Sequence, residues 1–151
     1  CRVLFVELHL MVLTETKPYS ERRKDLMGAM DAVGLEWRSS LDTKDAQRAS
    51  GVMVVWWKGG GAGSVETDTA GRGVAVRLAS DAGGSFLVVG IYGVSDPDRV
   101  GDPVRQMEAS TLMRWAIRQV VNYREKRGSR ARIIVMGDFN GVEDVVRDRG
   151  A

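Results

Sequence analysis

The first clear pattern along the chain is a short apolar run, Leu10-Met11-Val12-Leu13. It breaks off at Thr14-Glu15-Thr16 and is stopped by Pro18. Such a run reads as a buried strand whose polar end emerges at Glu15. Over residues 20–33, Leu26, Met27, Met30 and Val33 recur at helical spacing, with Ser20 placed to cap the start and Gly34 to end the helix. Three strands are predicted next. Residues 51–57 are rich in valine and tryptophan, residues 72–79 set Val74, Val76 and Leu78 on one face, and residues 86–92 form a more continuous apolar run. Trp56 and Trp57 project to opposite faces, so one is expected in the core and the other partly exposed. The turn signal Asp81-Ala82-Gly83-Gly84 joins the last two strands as a hairpin. Residues 58–73 are glycine-rich and read as a mobile loop.

A long helix follows. Asp102 suits its cap, Pro103 its first position, and Leu112, Trp115, Ala116, Val120 and Tyr123 form an apolar stripe that Gly128 closes. Residues 132–136 give a last strand, which runs out into Gly137-Asp138-Phe139-Asn140. The order strand, helix, several strands, helix, strand suits a mixed α/β sandwich in which helices cover packed sheets. No internal repeat and no domain boundary interrupts it.

Composition narrows the picture modestly. The chain has 151 residues, 44% apolar and 28% charged, which is ordinary for one globular domain with a real core. Its 22 basic and 20 acidic residues leave a net charge of +2. That balance neither requires nor excludes a nucleic-acid partner, because a local basic face matters more than the total. The single cysteine, Cys1, excludes an intrachain disulfide and a cysteine-built zinc site, and it points to a reducing compartment. The apolar stretch over residues 3–13 is interrupted by Glu7 and His9, is too short to span a bilayer and lacks the marks of a signal peptide. An intracellular location with no membrane partner is expected. The chain opens without methionine and stops at Asp148-Arg149-Gly150-Ala151, so a fragment of a longer protein is expected too.

Candidate chemistry lies where two strands run out into oxygen-bearing side chains: Glu15 after the first, Asp138 and Asn140 after the last. Strand ends are rigid platforms, and carboxylates that converge there can hold a hard cation. Magnesium needs only one or two protein carboxylates and polarises a phosphoryl oxygen. The simpler reading stays open at each position: Glu15 as a solvated carboxylate, Asp138 and Asn140 as an Asx turn, Tyr92 as a core aromatic.

These residues resemble a known family. Val12-Leu13-Thr14-Glu15-Thr16 is similar to the strand-end "LQET" motif of endonuclease/exonuclease/phosphatase domains. Ser50-Gly51-Val52 resembles their "GGvai" strand start, Ile91-Tyr92-Gly93-Val94 their "vYaP" motif, and Val135-Met136-Gly137-Asp138-Phe139-Asn140 matches their "GDFN" motif closely. Order and spacing also fit, best with the compact versions in apurinic-site endonucleases and non-LTR retroelements. The resemblance implies an α+β fold, a partial four-layer α/β-sandwich of the DNase I kind with two packed mixed sheets flanked by helices. Residues 1–151 would form one such domain, truncated at both ends. It implies Glu15 as a ligand for Mg2+ (or Mn2+), and Asp138 as the group that orients or deprotonates the attacking water. It implies Asn140 and Tyr92 as phosphate contacts, with a nucleic acid, DNA in the first instance, as substrate. A retroelement origin would imply a nuclear location.

The departures are equally legible. The family's asparagine motif, which precedes the "LQET" strand, is absent, and so is its terminal "SDH" motif. His9, the one histidine, cannot replace the missing catalytic one. Thr14 stands for the usual glutamine and Gly93-Val94 for alanine-proline. Little or no activity is therefore expected of this chain by itself. The competing reading is a non-catalytic, degenerate copy that binds nucleic acid or has no activity. A calcineurin-like site is excluded by its need for several histidines. A P-loop is excluded because Gly59-Gly60-Gly61-Ala62-Gly63-Ser64 lacks the Gly-Lys-Ser/Thr ending, so this run reads as a flexible linker. Arg124, Lys126, Arg127, Arg130 and Arg132 read either as a solvated helix end or as a phosphate-contacting patch.

Overall fold

The computed structural model describes residues 10–16, 21–40, 51–57, 61–79, 84–95 and 102–140. Within them lie β1 (Leu10–Thr14), α1 (Glu21–Ala32), β2 (Leu35–Ser39), β3 (Val52–Trp57), β4 (Ala62–Thr67), β5 (Gly73–Ala79), β6 (Ser85–Tyr92), α2 (Pro103–Arg127) and β7 (Arg132–Asp138). One sheet has the order β1-β3-β2 and the other β4-β5-β6-β7. All pairs are antiparallel except β6 with β7, which run parallel. Parallel neighbours need a long crossover, and α2 supplies it.

The layers follow from which faces are apolar. Val52, Val54 and Trp56 of β3 meet Val74, Val76 and Leu78 of β5 and Val88 and Tyr92 of β6 between the sheets. The alternate residues of the same strands face outward. Met53 and Val55 pack under Met30, with Met27 beside them, so α1 covers the smaller sheet. Ala75, Leu87, Val89 and Ile91 pack under Leu112, Trp115, Ala116 and Tyr123 of α2, which covers the larger one. The result is a four-layer α/β/β/α sandwich. The middle strands β3, β5 and β6 are covered on both faces, which is why β3 and β6 read as near-continuous apolar runs and β5 departs from one only at Arg77.

The α2 stripe, its Asp102 cap and its Gly128 end form as the pattern predicts, with Asp102 accepting from the Arg105 amide. Trp56 is buried and donates its indole N–H to Glu36 at 3.0 Å, while Trp57 is partly exposed. Several expectations need correction. Residues 58–73 are not simply a mobile loop, and the Gly61–Ser64 part is no linker: β4 forms over Ala62–Thr67 and pairs with β5, with a shift of register between Ala62 and Val65. On an edge strand backbone pairing substitutes for side-chain packing, so a glycine-rich stretch can still join the sheet. β2 was not expected at all; five residues directly after Gly34 carry too short a pattern to register. Of the residues expected on the apolar face of α1, Met27 and Met30 reach the core, whereas Leu26 and Val33 are exposed. β1 is half-buried and β7 largely exposed, not buried, because each is an edge strand. Ser20, His9 and Asp81-Ala82-Gly83 lie outside the described residues; the pairing of Ala79 with Ser85 is what a hairpin there requires.

Candidate active site

β1 is the outer strand of one sheet and β7 of the other, and their C-terminal ends come to the same rim. Tyr92 joins them. Its hydroxyl donates to Glu15 Oε1 at 2.8 Å, crossing from the larger sheet to the smaller. Tyr92 also lies opposite Asp138 in the parallel register. The next residue, Gly93, donates its amide to the Asp138 carbonyl at 2.6 Å. Its own carbonyl accepts from Asn140 Nδ2 at 2.8 Å and from Arg72 Nη1 at 3.3 Å. Glu15, Tyr92, Asp138 and Asn140 are thus brought together within a single hydrogen-bonded network. Tyr92 is only 6% exposed, so it is a core aromatic with its hydroxyl at the rim. Glu15 and Asp138 are exposed there.

Backbone geometry marks the same residues. Glu15 (φ 58°) and Asn140 (φ 49°) are the two non-glycine residues with positive φ among those described. Left-handed backbone is tolerated by asparagine, which suits the turn at Asn140, but is costly for glutamate, and such strain gathers at functional sites. Gly137 has φ 147°, a region open to glycine, and any Cβ there would run into the Ile91 carbonyl. The Asp138-Phe139-Asn140 segment is a true Asx turn, with Asp138 Oδ1 accepting the Asn140 amide at 2.9 Å. The turn reading and the site reading are therefore compatible: the Asx bond fixes the segment and uses only one carboxylate oxygen of the exposed Asp138.

Sequence reasoning missed Arg72. It sits in the β4–β5 turn, its guanidinium 5.5 Å from the centre of the Tyr92 ring. Its placement depends on Asp68, which accepts the Gly73 amide at 2.5 Å and the Ala70 amide at 3.2 Å. Burial lifts the Asp68 carboxyl above the usual carboxylate range, against the pull of those amides and of Arg72. Ser40 ties the turn to the other sheet, donating to the Gly71 carbonyl at 2.6 Å and accepting the Val52 amide at 2.9 Å. The only sequence signal for Arg72 was a cation just before a strand, which is too common to single out.

The donors suit a hard cation. Glu15 keeps one carboxylate oxygen without a partner among the described residues, and Asp138 and Asn140 add oxygen atoms on the same rim. No group of three or more His, Cys, Asp or Glu side chains able to cage a metal occurs among the described residues. That disfavours a closed zinc-type site, yet a magnesium-like ion needs only one or two carboxylates and keeps waters.

No family model matches the sequence, and no curated protein matches it. Among solved structures the chain is similar to ANGEL2, described as a 2',3'-cyclic phosphatase. One such structure, in complex with adenosine-2',3'-vanadate, superposes with a TM-score of 0.65 at 16% identity. Another gives a TM-score of 0.66 at 15% identity. In both cases 95% of this chain is covered, and the chain spans 44% of the other's length. ANGEL2 is a member of the endonuclease/exonuclease/phosphatase superfamily, so the expected DNase I-like α+β sandwich is borne out as a fold.

Proposed function

We propose that this rim is part of a divalent-cation-assisted phosphodiesterase site acting on nucleic acid. The Tyr92–Glu15 hydrogen bond carries the reading, because it joins the tips of two separate sheets where Asp138 and Asn140 also end. The fold shared with a 2',3'-cyclic phosphatase supports it. Glu15 would hold the cation, which when bound neutralises charge on a phosphoryl oxygen. Tyr92 positions the Glu15 carboxylate by donating its one hydroxyl proton to it. Asp138 orients the attacking water and accepts its proton. Asn140, anchored on the Gly93 carbonyl, offers the remaining N–H of its Nδ2 to the phosphate. Arg72 supplies a positive charge a short reach away. The finer reading is an endonuclease of abasic-site or retroelement type.

Metal binding tests the assignment without relying on turnover. Titration with Mn2+, followed by its electron spin resonance, is expected to show binding that weakens at least tenfold in Glu15→Gln with an unchanged circular dichroism spectrum. Equal affinity in parent and variant would remove Glu15 from the site. Hydrolysis of adenosine 2',3'-cyclic phosphate and of abasic or plasmid DNA is expected to be weak and lost in Asp138→Ala. Robust cleavage that survives Asp138→Ala overturns the mechanism.

A further inference from the structure

At the opposite end of the β6–β7 pair lies a second charged feature that the rim chemistry does not use. Ser85 begins β6 and Arg132 begins β7, whereas Tyr92 and Asp138 close the same two strands. Six residues of strand, at about 3.3 Å each, separate the two ends by roughly 20 Å. There the last turn of α2, the 3-10 turn Gly128–Arg130 and the start of β7 enclose an open groove of about 660 Å³. Lys126, Arg127, Arg130 and Arg132 line it beside Ser85, and no acidic side chain among the described residues does.

The simple account of these cations is compensation of the α2 dipole. A helix C-terminus carries about half a negative charge, which one cation offsets. Four cations converge here, and none has an ion-pair partner among the described residues, whereas Arg105 pairs with Asp102 at 3.0 Å. The groove carries more positive charge than the +2 of the entire chain. It is also held in shape. Tyr123 donates to the Ser85 carbonyl at 2.7 Å and lies 3.0 Å from the Ser85 hydroxyl. The Gly128 amide closes α2 on the Arg124 carbonyl. Three guanidinium forks and an ammonium on a rigid base suit a polyanion with repeated phosphates.

We infer that this groove is a binding site for the sugar-phosphate backbone of a single-stranded nucleic acid, separate from the Glu15–Asp138 rim. The choice of a nucleic-acid strand rests on the phosphodiesterase reading; the electrostatics of the groove does not. A strand held here would be anchored about six stacked nucleotides from the rim, at ~3.4 Å per step.

The test is fluorescence anisotropy of a labelled twelve-nucleotide single strand in EDTA, across a salt series, so that no metal chemistry enters. The double variant R130E/R132E is expected to bind at least tenfold more weakly. In the neutral double variant R130Q/R132Q the slope of log affinity against log salt should shrink by roughly 1.4, as expected for two lost phosphate contacts on a single strand. Glu15→Gln should bind like the parent. The three replaced residues, Arg130, Arg132 and Glu15, are exposed, and circular dichroism checks the fold of each variant. Parent-like affinity and slope in both double variants overturn the inference, as does an absence of binding by the parent. Capture by phosphatidylserine vesicles without oligonucleotide binding overturns it in favour of a membrane surface. Failure of the Mn2+ test alone, with strand binding intact, would sink the catalytic reading and leave this one standing.

Discussion

Glu15 holds a backbone conformation that costs a non-glycine residue about 1–3 kcal/mol, and it does so at an exposed strand end where nothing in the core requires it. The return on that strain is visible: it turns the carboxylate onto the Tyr92 hydroxyl. Glu15, Asp138 and Asn140 were legible in the sequence because each follows an apolar run directly. Arg72 and Asp68 were not, because their role arises from a turn whose neighbours are distant in sequence. Asp68 gives a pH prediction. Its carboxyl is raised in the folded protein, chiefly by burial, so the folded state holds the proton more tightly than the unfolded chain. The associated stability is complete below the ordinary value of 3.8 and is lost as pH rises through the folded value. Urea unfolding of the parent and of Asp68→Asn should therefore show the parent's relative stability falling as pH climbs from 3.8 towards neutrality. A relative stability that rises over that window would contradict the assignment, and carbon-13 titration of the Asp68 carboxyl reads the shift directly.

At the scale of elements, what the sequence revealed depended on how each strand is stabilised. β3, β5, β6 and α2 announce themselves because they bury apolar faces. β2 and β4 do not: they are edge strands held by backbone pairing and, unlike the edge strands β1 and β7, neither carries an unbroken apolar run. The join between β6 and β7 shows a similar long-range effect. Gly93-Val94 departs from the resembling family's alanine-proline, and the structure gives a reason: a Cβ on Gly93 would overlap the Phe139 carbonyl. The glycine lets the Asp138–Asn140 turn close onto β6. Gly93→Ala should therefore cost about 1–3 kcal/mol, as overpacking of a tight contact does. Its amide exchange should quicken at Asn140 and Gly93 before it changes in β3 or β5. A variant with parent-like melting and unchanged exchange at those two amides would show that the contact has room to relax.

Among the described residues the chain is a sandwich with its central strands well covered and its edge strands, β7 among them, open. Among the described residues nothing pairs with the outer edge of β7. Ile134, Val135 and Met136 are each 37–43% exposed along it, and Phe139 is 47% exposed beyond it. Ile133 and Val135 point toward the α2 layer, while Ile134 and Met136 point toward the other sheet, so both faces of this strand are only partly sheltered. Natural sheets protect such edges with charge, proline or a covering segment, and an apolar edge left open is a template for pairing with another chain. The same strand ends in Asp138, so the site's framework and the open edge share one element. Sedimentation velocity over a concentration series should show reversible association of this chain, and Val135→Lys should shift it toward monomer. The substitution places a charge at an already exposed position, so melting should change little. A parent that stays monomeric throughout, or a Lys variant that associates equally well, would show that the outer edge of β7 is shielded after all.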